Sequence, residues 1–223
     1  MSVPVLFLLV VAGIVGWWLF ARQLTAKPWE KKQSESDNRY AGAALAMAPA
    51  RIGLWMFLAV ITSFFGLFIS AYSMRMMLAD WTPLAEPKIL WLNTLMLILS
   101  SAAFQWTRQA AEQGNAVRVK GGLVVAGLFA FAFLTGQLFA WRQLNASGYF
   151  MSSNAANAFF YLLTGLHGLH VLGGLSVWGK TTARMWASIG ELGEVRLSVE
   201  LCTVYWHYLL LVWLVLFGLL LST

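Results

Sequence analysis

The sequence predicts an all-α fold, a polytopic transmembrane helical bundle of six spans. Two observations carry this. Only 11% of the residues are charged and 60% are hydrophobic, whereas a soluble domain is about a quarter charged. The charges also cluster, leaving apolar runs of the roughly 20 residues that a bilayer-spanning helix needs. Runs of about ten alternating residues, the mark of a membrane β-barrel, are not seen. The lone Cys202 permits no intrachain disulfide and no CxxC site.

The spans are expected at roughly 3–21, 52–74, 89–107, 121–141, 155–178 and 199–222. The first lacks a basic leading segment and a small-residue cleavage site. Its end, "GWWLFARQL", reads as an aromatic belt followed by a cationic anchor, so it is expected to be retained. The stretch 27–50, with "KPWEKKQSESDNRY", is polar and poor in large aliphatics, which predicts a surface loop. The chain thus divides into residues 1–50, a helix plus a polar cytoplasmic loop, and residues 51–223, a five-helix membrane domain.

Basic residues set the orientation. Twelve of the fifteen fall at 22–51, 108–120 and 179–198, against Arg75, Lys88 and Arg142 on the other side. Positively charged loops stay in the cytoplasm. Both termini are therefore expected on the outer, periplasmic side of a bacterial inner membrane. The net charge of +6 follows from this pattern and does not require a nucleic acid.

Ionisable side chains deep in a bilayer are costly and mark functional sites. The cores of spans two to five contain no Asp, Glu, Lys or Arg, and Glu200 lies only near the cytoplasmic end of span six, at its start. That argues against an ion-coupled transporter, which commonly needs a carboxylate at depth. What remains at mid-span is His167, His170 and His207. A metal site needs three or four converging ligands. His167 and His170 share a helix face and His207 could approach from span six. Cys202, about 140° round the helix from His207, is a poor fourth ligand.

A packing role is the expectation preferred here. Leu163, Thr164, His170, Val171, Gly174 and Trp178 flank His167 on one face. Gly165, Gly168, Gly173 and Gly174 should let a neighbouring helix approach closely. Polar residues such as Asn93, Thr94, Ser100, Gln137 and Thr164 are expected to bond between helices. Trp17, Trp18, Trp81, Trp91, Trp106, Trp141, Trp178 and Trp213 lie near span ends, and most are expected to be interfacial anchors. Arg51 and Arg108, each at a span end, are candidates for binding a lipid phosphate.

Five motifs in order resemble subunit III of the haem-copper terminal oxidases. "FYLLTGLHGLHVLGGL" (160–175) is similar to that family's histidine helix. "VELCTVYWHYLLLVWLVLF" (199–217), with Trp206 and His207, is similar to its closing helix. "GLWMFLAVITSFFGLFISAY" (53–72), "LNTLMLILSSAAFQWT" (92–107) and "GLFAFAFLTGQLFAW" (127–141) resemble the intervening ones. The resemblance covers about residues 51–222. It implies a subunit with no cofactor of its own, haem and copper lying in partner subunits. It also implies packing on catalytic subunit I beside subunit II, a cleft that holds phospholipid, and support of proton uptake during oxygen reduction. Three histidines and one cysteine are too few for the six-histidine catalytic subunit or the copper-bearing one.

Three carboxylates common in the family are replaced here by Ile61, Ala140 and Leu210. Without an acidic neighbour, burial favours the neutral imidazole. His167 and His170 are therefore expected to be neutral hydrogen-bonding groups, and no catalytic residue is expected in this chain. Two alternatives stay open: an accessory subunit of a nitric oxide reductase, and an independent haem-binding membrane protein using the three histidines. A family member commonly has five or seven helices, so six marks a variant.

Overall fold

The computed structural model describes residues 49–82, 87–187 and 192–222. The span at 3–21 and the polar stretch after it lie outside these residues. The chain separates into two units, Met1–Met77 and Leu78–Thr223. Within the described residues five helices are long and apolar enough to cross a membrane, making this a multi-pass membrane protein.

In the first unit, α1 runs Pro49–Arg75. Its buried residues, Leu58, Ile61, Phe65, Ile69 and Tyr72, recur every three or four positions and form one stripe. Its hydroxyls turn inward on their own helix: Thr62 donates to the Leu58 carbonyl at 2.8 Å and Ser73 to that of Ile69 at 2.9 Å. Such back-bonding satisfies a hydroxyl without a neighbouring helix.

The second unit holds α2 (Ile89–Glu112), α3 (Ala116–Ala146), α4 (Ala155–Ala187) and α5 (Leu192–Leu221). α2 packs on α3, α3 on α4, α4 on α5, and α5 returns to α2, which closes a four-helix bundle. The helices outrun the expected spans. α2 continues five residues past 107, and α4 nine past 178. Consequently Arg108, Arg118, Lys120, Lys180, Arg184 and Arg196, expected in loops, sit on helical turns. The apolar run marks where the hydrocarbon ends, whereas a helix ends where its backbone finds other partners.

Two glycines end α2 and α3. After α2, Gly114 takes a φ of 72°. Asn115 N–H then reaches the Ala110 carbonyl at 3.0 Å, and Gly114 N–H that of Ala111 at 3.2 Å. This is a Schellman cap, which needs the left-handed residue that glycine supplies. Asn115 also caps the next helix, its side chain accepting from the Arg118 N–H at 3.1 Å. Gly148, with a φ of 85°, repeats the device after α3, where Tyr149 N–H bonds the Leu144 carbonyl at 3.0 Å. α4 opens on Asn154, which accepts from the Ala156 N–H and donates to both oxygens of Thr82.

The seam between α2 and α3 is made of small residues. Ser100 donates to the Ala126 carbonyl at 2.9 Å. A methyl added to Gly122 would collide with Thr107, and one added to Gly136 with Asn93. Gly127 is likewise filled by the Trp178 ring from α4. Close approach of this kind replaces hydrophobic burial as the adhesive between helices in lipid.

Candidate functional site

The signature stretch lies at the middle of α4, where it faces α3 and α5. His167 is fully buried. Its Nε2 lies 3.0 Å from the Leu209 carbonyl of α5. A carbonyl only accepts, so Nε2 carries the proton and donates. Phe133 of α3 meets the ring edge to face at a centroid distance of 5.5 Å, and Trp213 of α5 lies tilted at 5.2 Å. Phe133 and Trp213 also touch each other at 5.0 Å. One imidazole therefore joins three helices. Its Nδ1 keeps a lone pair with no hydrogen-bond partner among the described residues.

Below this layer Gly174 opens a notch. An added methyl would lie 2.8 Å from both Trp206 and Tyr205 of α5. Trp206 is fully buried and rests against Phe104 of α2, ring centroids 4.4 Å apart. Tyr205 donates to the His170 carbonyl at 3.0 Å. The other signature glycines do not act this way. A methyl on Gly168 would meet only Leu134, at an ordinary 3.9 Å, and one on Gly173 would meet nothing. Glycine content overstated the close approach, because successive glycines point to different sides of a helix and only one faces the aromatic pair.

His170 and His207 behave differently from His167. His170 is half-buried and its Nδ1–H donates to the Leu166 carbonyl of its own helix at 2.7 Å. His207 is exposed and donates in the same way to Thr203 at 2.8 Å. The three rings thus have three separate backbone acceptors. Among the described residues no three His, Cys, Asp or Glu come together as a metal could require. Cys202 is buried beside Thr181, 3.8 Å away.

A second ring of polar contacts braces the bundle. Trp213 donates to the Thr94 hydroxyl at 2.9 Å, Trp141 to Thr164 at 3.1 Å, and Trp178 to the Leu123 carbonyl at 2.9 Å. These three tryptophans were expected at the interface with headgroups. They instead spend their indole N–H groups on neighbouring helices, as buried tryptophans usually do. Trp91 and Trp106 remain exposed, near the two ends of the apolar run of α2. Asn93 donates to Gln137 at 3.3 Å across the α2–α3 seam.

The remaining candidates fall at the periphery. Arg108 is bonded to Glu112 one turn on, at 3.0 Å. Arg51 stands in the first turn of α1, in the other unit. Ala140 is fully buried on α3, Ile61 lies in the buried stripe of α1, and Leu210 is half-buried on α5.

Comparison with known proteins accords with this geometry. The family model for cytochrome c oxidase subunit III matches residues 19–221. The chain is 36% identical over 124 residues to a probable cytochrome c oxidase subunit 3 of Mycobacterium tuberculosis (strain ATCC 25618 / H37Rv), which covers 56% of this chain and 61% of that protein. It is 28% identical over 175 residues to cytochrome c oxidase subunit 3 of Synechocystis, covering 74% of this chain and 72% of that one. To the protein of the same description from Thermostichus vulcanus it is 28% identical over 173 residues, covering 76% and 85%. The matched stretch thus spans about three fifths of the mycobacterial relative's length. The match takes in all five described helices, and the chain belongs to the cytochrome c oxidase subunit III family.

Proposed function

We propose that the chain serves as the cofactor-free third subunit of a respiratory haem-copper oxidase in a bacterial plasma membrane. In this reading it packs on the catalytic subunit I beside subunit II, which hold the haem and copper, and stabilises subunit I. It binds phospholipid and supports proton uptake while oxygen is reduced to water. The helix ends carrying Arg108, Arg118, Lys120 and Lys180 then face the cytoplasm, following the excess of positive charge.

The observation that carries the reading is the committed state of His167. Its proton is held by the Leu209 carbonyl and its ring is covered by Phe133 and Trp213. A residue so occupied fixes helices relative to one another. His167, Gly174 and Trp206 are accordingly assigned to the packing of a scaffold, whereas the His170 and His207 rings bond to their own helices and Gly168 tolerates a methyl. A scaffold can hold a partner in its active conformation without touching its chemistry, because a surface that binds one state stabilises it.

The test is purification of the tagged full chain from its membrane with whatever accompanies it. The expected result is a large co-purifying subunit, a reduced-minus-oxidised haem spectrum from the complex, and oxygen consumption. The chain separated from that complex should be colourless. A Soret band that stays with the separated chain and disappears in His207→Ala would overturn the reading in favour of an independent haem protein. A complex that reduces nitric oxide and not oxygen would keep the scaffold and change its partner.

A further inference from the structure

Packing of the histidine layer leaves over two buried polar atoms. His167 Nδ1 offers a lone pair and the Gln137 amide nitrogen offers hydrogens, and neither has a partner among the described residues. Both side chains are buried, His167 fully and Gln137 with 4% exposure. The Gln137 Oε1 is already used, accepting from the Asn93 amide of α2 at 3.3 Å. Asn93 is itself seated in the notch at Gly136. The amide orientation also follows from His167. Its Nε2 carries the proton for the Leu209 carbonyl, so Nδ1 is an acceptor. Turned over, the amide would set oxygen against that lone pair.

The two atoms belong to one layer. Two contacts between α3 and α4 bracket Gln137. One turn before it, Phe133 meets the His167 ring at a centroid distance of 5.5 Å. One turn after it, Trp141 donates to Thr164, which lies one turn before His167. Residues four apart share a helix face, so Gln137 faces α4 between Thr164 and His167. The far side of the layer closes as well. Asn93 precedes Thr94, which accepts from Trp213, and the Trp213 ring lies 5.2 Å from that of His167. A donor and an acceptor thus share a layer without bonding directly. Leaving either unsatisfied is costly, and hydrocarbon supplies no partner. Water commonly spans such a gap, and buried waters are structural parts of protein interiors.

We infer that one water molecule is bound between Gln137 and His167, accepting from the Gln137 amide N–H and donating to His167 Nδ1. The site completes a relay in which every donor points the same way. Asn93 donates to Gln137, Gln137 to the water, the water to His167, and His167 to the Leu209 carbonyl. One line of bonds then crosses α2, α3, α4 and α5, and bonds in series polarise one another. With Nδ1 occupied as an acceptor, the imidazole proton is held on Nε2. The site needs only these four helices and is independent of the oxidase reading.

The experiment is solid-state NMR of the full chain in bilayers with nitrogen-15 histidine. His170→Gln and His207→Gln assign the His167 signals by elimination. The His167 Nδ1 resonance should lie upfield of a free imine nitrogen and receive magnetisation from water. Gln137→Met, which keeps the length of the side chain, should move Nδ1 to the free-imine position and abolish the transfer from water. The Nε2 proton signal should persist and will verify that the layer still folds. A free-imine Nδ1 in wild type overturns the proposal without recourse to any variant. Transfer from the Gln137 amide hydrogens in place of water overturns it in favour of a direct bond. Water transfer that survives Gln137→Met also overturns it, because Gln137 would then not hold the molecule.

Discussion

Between α2 and α3 the helices meet through Gly122, Gly136, Ser100 and Ala126, whereas α4 and α5 meet through His167, Gly174, Tyr205 and Trp206. The first seam is defined by what is missing: side chains small enough for the two backbones to approach. The second is defined by what is inserted: large rings seated in one notch and one imidazole bonded across. Both solve the same problem, since lipid offers helices no hydrophobic reason to associate. They should fail in opposite ways, one by addition and the other by subtraction.

The largest effect is expected from subtraction at the second seam. Trp206→Ala removes a fully buried ring that fills the Gly174 notch and rests on Phe104. A loss of about 3–5 kcal/mol is expected from truncation of this kind, read as reversible unfolding in detergent or bicelles. A loss under about 1 kcal/mol would mean the notch collapses freely and the seam is not ring-filled.

Addition at the first seam comes next. Gly122→Val must displace Thr107, whose backbone Cα lies only 3.3 Å from the new Cβ. Overpacking of this sort costs about 1–3 kcal/mol. Its paired control is Gly168→Ala on α4, where the nearest atom is 3.9 Å away. That change should stay within about 0.5 kcal/mol of wild type or stabilise slightly, alanine being the better helix former. Equal costs at the two positions would erase the distinction between a seam glycine and an ordinary one.

The smallest effect concerns the polar bond within the first seam. A double-mutant cycle on Asn93→Ala and Gln137→Ala should give a coupling of about 0.6 kcal/mol, typical of bonds between membrane helices. A coupling above about 2 kcal/mol would make the seam polar in origin, with its small residues secondary.

Much of this fold could be read from residues alone because hydropathy reports the bilayer directly. The order of the helices, the apolar interior and the mid-span histidines follow from runs of Leu, Val and Phe interrupted at Arg108 and Arg142. Helix ends were less legible. Arg108 marks the edge of the apolar run, yet the backbone hydrogen bonds continue to Gly114, and only the cap chemistry of "QGN" carries that information. The tryptophans misled for a related reason. Trp178 and Trp213 stand near span ends in the sequence, as belt residues do, but the partners of their N–H groups, Leu123 and Thr94, are 55 and 119 residues away.

The corner at residues 113–115 has a bearing on how the protein is made. Asn115 closes one helix and opens the next, so there is no slack between α2 and α3. A loop this short carries little closure entropy, and the seam it brings together needs only backbone proximity. During synthesis this pair is the first in the bundle able to form a stable contact, before α4 and α5 have been translated. The hairpin would then enter the bilayer as one body and offer Phe133 and Thr94 as a finished surface. The histidine layer is completed only when α5 brings Leu209 and Trp213 against His167.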